Sequence, residues 1–315
     1  MSKIVVSGGA GYIGSILVPK LLRIGHDVTV VDNFMYRQTS LLDVCNDPQL
    51  TIINGDARDH KLMKKVLGDA DFFIPLACIV GAPACDKDPV AARSINYDAI
   101  HHILESKTAG FFPNLKIIFP TTNSGYGIGQ EGIYCTEETP MKPISLYGQL
   151  KVKIEEDILS SGDAITLRLA TVFGVSPRMR MDLLVNDFVN RAVRDRFIVL
   201  FEAHFKRNYI HIHDVAKAFI HCINNFDSMK NEPYNVGLSD ANLSKWELCE
   251  EIQRQIPGFY FVEAKIGKDP DQRNYIVSNE KIEKTGFKPQ VSLQEGITEL
   301  RKGLEVLQRK EYTNV

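Results

Sequence analysis

No excess of positive charge is available in this 315-residue chain to neutralise a nucleic-acid backbone: 37 Lys and Arg stand against 39 Asp and Glu, a formal charge of −2. Long apolar runs are missing as well. The longest nearly apolar stretch, Asp71–Ala84, is interrupted by Pro75 and Pro83 and falls short of the ~20 residues of a membrane-spanning helix. The opening Met-Ser-Lys-Ile-Val-Val-Ser lacks the charged-then-apolar layout of an export signal, so a cytoplasmic protein is expected. The six cysteines, at 45, 78, 85, 135, 222 and 249, form no Cys-x-x-Cys and follow neither zinc nor disulfide spacing, which predicts reduced thiols and no metal. Repeats, low-complexity tracts and linkers are absent too. What remains is a globular chain, 44% hydrophobic, long enough for one large domain or two.

Within it, short β-branched runs alternate with segments of helical period. Strands are expected at Lys3–Ser7, His26–Val31, Leu50–Asn54, Phe72–Leu76, Leu115–Phe119 and Ala164–Leu169. Helices are expected after the first strand and at Asp59–Leu67, Val90–Glu105 and Tyr147–Leu159. Ile4-Val5-Val6 and Ile117-Ile118-Phe119 are continuously apolar, as strands buried on both faces must be. The rhythm predicts an α/β fold: a doubly wound parallel sheet with helices on both faces and a smaller α/β lobe. Beyond residue 170 the elements change. Leu183–Arg194 and Val215–Ile223 should be helical, Asn208–Asp214 a strand, and the rest short. The division expected is residues 1–170 with about 208–235 in the sheet domain, and about 171–207 with 236–315 in the lobe.

The strongest local signal is Gly8-Gly9-Ala10-Gly11-Tyr12-Ile13-Gly14, set between a predicted strand and a predicted helix. Glycines at this spacing allow a tight turn, close approach of backbone to a pyrophosphate, and close packing of helix on strand. The pyrophosphate then meets the helix N-terminus. Asp32 ends the second strand, 18 positions after Gly14. There it would accept hydrogen bonds from ribose hydroxyls and repel a 2′-phosphate, favouring NAD over NADP, with Arg37 nearby in sequence as a countersign. Asp56 either reaches the adenine edge or caps a helix.

Of the tyrosines, only Tyr147 has a lysine four residues on, Lys151. On a helix these two share a face, and an ammonium there lowers the phenol pKa. Tyr147 can then take a proton from a substrate hydroxyl as hydride leaves the same carbon. Thr122, at the end of a strand, offers a hydroxyl to hold that oxygen. His204, His211 and His213 cluster in sequence, and 211 and 213 would share one strand face, but no further ligand completes a metal site.

With Leu76-Ala77, Asn96, Tyr126-Gly127, Arg168 and Arg207-Asn208-Tyr209-Ile210-His211 in the same order, the chain resembles the extended short-chain dehydrogenase/reductases that modify nucleotide sugars. The resemblance spans nearly the whole length. It implies Thr122, Tyr147 and Lys151 as the catalytic set. It implies NAD contacts at Gly8, Gly11, Tyr12, Ile13, Gly14, Asp32, Asn33, Asp56, Ala57, Leu76, Ala77 and Asn96, with Tyr147 and Lys151. Sugar-nucleotide contacts are implied at Val80, Gly81, Thr122, Asn123, Thr171, Arg178, Arg180, Asn186, Arg207 and Arg273. A homodimer through the helices near Val90–Glu105 and Tyr147–Leu159 is implied as well.

Departures from the family patterns narrow the chemistry. Dehydratases of this family place Asp-Glu after the catalytic Thr, whereas here Asn123-Ser124 follow and cannot serve as acid and base. NAD-dependent oxidation at C4 of the sugar remains. The stretches around Cys78, Gly125 and Thr171 look more like bacterial capsule enzymes that oxidise GDP-linked heptoses (GDP-D-glycero-D-manno-heptose or similar) than like UDP-galactose 4-epimerases. The expectation is therefore a dehydrogenase releasing a 4-keto sugar. A nucleotide-sugar C4-epimerase is the alternative, and a non-catalytic NAD(H)-binding sensor is the rival from a different class.

Overall fold

In a computed structural model that describes residues 1–267 and 273–307, seven parallel strands form one sheet. Their order is Glu232–Val236, Ala164–Leu169, Lys116–Thr122, Phe72–Pro75, Lys3–Ser7, Asp27–Asp32 and Leu50–Asn54. The strand order reverses between Lys3–Ser7 and Phe72–Pro75, which opens a crevice at the carboxyl ends of these strands. The central strands are apolar because helices cover both faces: every residue of Ala164–Leu169 is buried. On one face, helices Gly14–Arg23 and Ile212–Asn224 pack together; on the other, Ala99–Thr108 packs on His60–Leu67 and on Leu146–Ser160.

Three further sheets are smaller. Thr171–Phe173, Lys206–His211 and Asn242–Ser244 make one; Phe197–Leu200 pairs with Tyr260–Glu263, and Tyr134–Cys135 with Ile276–Val277. One continuous buried cluster runs from Ile4 and Leu17 in the sheet domain to Leu300 and Leu304 in the lobe, so the two parts share a core. All six cysteines are unpaired. Among the described residues, no helix is long and apolar enough to cross a membrane.

Three expectations are corrected. The single helix over Val90–Glu105 is three pieces: Pro89–Arg93, capped by Asp88, a wide π-turn at Ser94–Asp98, and Ala99–Thr108. The extra residue of the π-turn accompanies an inward-facing Asn96, 1% exposed. The strand over Asn208–Asp214 stops at His211, whose Nδ1 accepts from His213 N and opens helix Ile212–Asn224; 211 and 213 therefore do not share a strand face. The last third is not made only of short elements. Lys245–Gln255 and Leu293–Val306 are full helices, each opened by a Ser/Glu capping box.

Candidate active site

A cleft of about 450 Å³ runs along the carboxyl ends of the strands and between sheet domain and lobe. At one end stands the glycine loop. Gly8 has φ +72°, and a Cβ there would lie 2.5 Å from Ala77 N; a Cβ on Gly14 would lie 2.3 Å from the Gly9 carbonyl oxygen. Neither neighbour is a side chain that can turn away, so the loop closes only with glycine. No side chain caps helix Gly14–Arg23, and its first residue, Gly14, lines the cleft with Gly11, Tyr12 and Ile13. This is a bare helix N-terminus of the kind that receives a pyrophosphate.

Asp32 is buried beside it. Its oxygens accept from Ala10 N (3.0 Å), Phe34 N (2.8 Å) and the Gln38 amide (3.1 Å). Burial pushes its carboxyl above the ordinary range, against the pull of those hydrogen bonds and of Arg178. Oδ1 accepts two of these bonds and Oδ2 one, so Oδ2 keeps a lone pair for a ribose hydroxyl and the residues fit the adenosine half of NAD. Arg37, by contrast, is exposed and off the wall. Asp56 also lines the cleft, held by Arg58 at 2.7 Å, which keeps its carboxyl below the ordinary range; the helix cap is Asp59 instead. Asn33, Ala57, Leu76 and Ala77 complete this end.

At the centre, strand Lys116–Thr122 and helix Leu146–Ser160 bring Thr122, Tyr147 and Lys151 to one wall. The helix is fixed twice. Ser145 caps it by accepting from Gly148 N, and a buried ion pair from Arg168 to Glu155, 2.6 Å, ties it to strand Ala164–Leu169. Thr122 Oγ1 accepts from Ser124 N and lies 2.7 Å from Ser124 Oγ. Lys151 is 4% exposed, donates to the Pro120 carbonyl at 3.0 Å, and lies over the Phe119 ring. Burial pushes the Tyr147 phenol well above its ordinary value; the neighbouring Cys78 thiol adds to this, and Arg180 and Arg273 oppose it. The expected depression of that phenol is thus reversed in the protein alone, with burial the largest cause.

The other end carries the arginines. Arg207 is 3% exposed and donates to the Arg273 carbonyl; Arg180 pairs with Asp182; all three guanidinium-bearing residues line the cleft. Arg178 lies 4.5 Å over the Tyr36 ring and close enough to Asp32 to stabilise its charge, so it faces the cofactor end more than its sequence neighbour Arg180 does. Val80, Gly81 and Thr171 are also on the wall.

Three expected contacts are not on the wall. The Asn96 amide clamps both backbone groups of Ile79 at 2.8 Å and so shapes the wall from behind. Asn186 is fully buried and binds Gly174 N, the Arg180 carbonyl and the Tyr12 hydroxyl. Asn123 is 1% exposed, and its amide has no partner among the described residues. Conversely, Tyr36, Gln38 and Ser124 line the cleft and were not expected there. Tyr36 and Gln38 stand within six positions of Asp32, in the segment that follows its strand, which is the one signal that pointed to them.

A family model described as NAD dependent epimerase/dehydratase matches residues 4–237. A putative UDP-glucose 4-epimerase of Methanocaldococcus jannaschii is 29% identical over 93% of this chain and 95% of its own length. UDP-glucuronic acid decarboxylase 1 of Arabidopsis thaliana is 26% identical over 94% of this chain and 68% of its own. Among solved structures, a UDP-glucuronic acid 4-epimerase of Bacillus cereus, in complex with UDP-glucuronic acid and NAD, superposes with a TM-score of 0.85 at 22% identity, covering 96% of this chain and 99% of that one. This last likeness is one of fold.

Proposed function

This chain belongs to the NAD dependent epimerase/dehydratase family, and from that premise we propose that it is a C4-epimerase of a nucleoside-diphosphate sugar. One observation carries the reading. Thr122, Tyr147 and Lys151 share a cleft wall with the glycine loop, while the two residues after Thr122 are Asn123 and Ser124 and bring no acid or base. Among the described residues, the carboxylates on that wall are Asp32 and Asp56 at the cofactor end, Asp182 held by Arg180, and Asp187 held by Arg191. None is free to drive loss of water.

Each residue then has a task. Tyr147 takes the proton of the C4 hydroxyl, and Thr122 donates a hydrogen bond to the same oxygen. Lys151 balances the phenolate charge. NAD, when bound, supplies the hydride acceptor. Arg180, Arg207 and Arg273 hold the diphosphate, so the hexose ring can turn about its link to phosphate without leaving the cleft. Tyr147 returns its proton when the other face of C4 is reduced. In this reading residues 1–170 with about 208–235 serve the cofactor, the remainder serves the sugar nucleotide, and two copies pair through helices Ala99–Thr108 and Leu146–Ser160.

The Methanocaldococcus jannaschii relative is a putative 4-epimerase by name and both sequence relatives are named for uridine nucleotides, which supports epimerisation, the alternative reading of the sequence, over release of a ketone from a GDP-linked heptose. UDP-glucose and UDP-galactose are therefore the first substrates to offer, GDP-linked heptose the next. In deuterated water the expected product is the C4-inverted sugar with hydrogen retained at C4 and no net NADH. Accumulation of a 4-keto sugar with one NADH per turnover would replace this reading with the dehydrogenase; deuterium at C5 would replace it with a dehydratase.

A further inference from the structure

The phosphate loop and the arginine loop are joined by hydrogen bonds that neither ligand site requires for itself. The Tyr12 hydroxyl donates to the Gly174 carbonyl at 2.7 Å and accepts from the Asn186 amide at 3.2 Å. The same amide nitrogen donates to the Arg180 carbonyl at 2.8 Å, and the amide oxygen accepts from Gly174 N at 3.1 Å. A second strut lies alongside: Ser176 Oγ donates to the Tyr12 carbonyl at 2.8 Å and sits 2.7 Å from Ser15 Oγ. Residues 176 and 180, the two ends of the segment that carries Arg178 and Arg180, are thereby both tied to Tyr12, inside the glycine loop. Gly174 cannot yield, since a Cβ there would lie 2.4 Å from His211 Nε2 and its φ is +116°.

Asn186 is 0% exposed, on a helix whose neighbours Val185 and Phe188 are core residues. A leucine would fill such a place without desolvating an amide, a cost that is offset only because the amide's partners are all met. Those partners belong to three different segments: residue 12, residue 174 and residue 180. The contacts thus fix the relative placement of two loops rather than the fold of one.

We propose that Tyr12 and Asn186 are positioning residues that register the cofactor loop against the arginine loop, coupling the grip on the nucleoside diphosphate to the cofactor end of the cleft. The proposal rests on the reading that Arg180 holds the diphosphate. Because such coupling is reciprocal, a change at Tyr12 should be felt at the far ligand.

The test is calorimetric binding of UDP and of NAD to wild type, Tyr12→Phe, Arg180→Ala and the double variant, with steady-state kinetics on the substrate found above. Tyr12→Phe should weaken UDP about tenfold and raise KM similarly, a loss larger than the one it makes in NAD affinity. On the Arg180→Ala background the same change should have no further effect on UDP. Additive losses, or a loss confined to NAD, would overturn the latch while leaving the epimerase reading intact. Ser176→Ala cuts the second strut and should weaken UDP about threefold, carrying the test if Tyr12→Phe does not fold; unchanged UDP affinity there refutes the proposal. Failure of wild type to bind UDP, dTDP or GDP would remove the diphosphate reading and the latch together.

Discussion

At the cofactor end of the cleft, the phosphate loop Gly8–Gly14 is made by consecutive residues and their backbone; at the other end, guanidinium groups from positions 180, 207 and 273 are gathered from three separate segments. The first end is specified by what is left out, since a Cβ at Gly8 or Gly14 would run into backbone. The second is specified by what is held in place, through Asp182 on Arg180 and the Arg273 carbonyl on Arg207. A backbone site tolerates almost no change but needs no distant support. A side-chain site tolerates conservative change but depends on whatever holds its loops.

The largest effect should come from a change that touches neither end. Tyr147→Phe removes the proton acceptor and leaves both walls in place, so turnover should fall about 10³-fold while NAD and UDP affinities stay within twofold. Equal affinities with unimpaired turnover would show that another group takes the proton. Next comes a matched pair across the two ends. Gly14→Ala places a Cβ 2.3 Å from the Gly9 oxygen and should weaken NAD by at least about 30-fold and lower Tm, because the loop must move to admit it. Arg207→Lys keeps the charge and loses the fork; KM for the sugar nucleotide should rise about tenfold with NAD affinity unchanged. If Gly14→Ala left NAD binding intact, the contrast between a backbone end and a side-chain end would collapse.

The same contrast explains how much was legible in advance. Strand Ala164–Leu169 and helix His60–Leu67 followed from apolar pattern, and the phosphate loop from glycine spacing, because each is a local property of the chain. Thr122 and Tyr147 could be paired only through their positions on a strand end and a helix start, yet they do share a wall. What failed was side-chain direction. Asn96, Asn123 and Asn186 had suitable chemistry and order, but the π-turn at Ser94–Asp98 gives the Asn96 amide to Ile79, and helix Leu184–Arg194 turns Asn186 to the latch. No spacing rule reports which way an asparagine faces. The Ser…Glu boxes at Ser244 and Ser292 were readable and would have lengthened the helices of the lobe.

The smallest effect expected separates stability from binding at the cofactor end. Burial raises the Asp32 carboxyl above its ordinary value, so the folded chain takes up this proton more readily than the unfolded chain does. For that group the sign is fixed: ionised Asp32 costs the fold stability at neutral pH, and the cost is relieved as pH falls through its raised value. Binding runs the other way, because the carboxylate accepts from Ala10, Phe34 and Gln38 and keeps one lone pair on Oδ2 for a ribose hydroxyl, a place that a proton on Oδ2 would take. NAD titrations from about pH 8 to about pH 5 should therefore show affinity falling toward acid by a few-fold, while the cost of ionised Asp32 to Tm is relieved in the same direction. Asp32→Asn should bind NAD more weakly at the upper pH and lose the slope. A slope that survived in Asp32→Asn would assign it to another group and leave the glycine loop as the whole of the cofactor end.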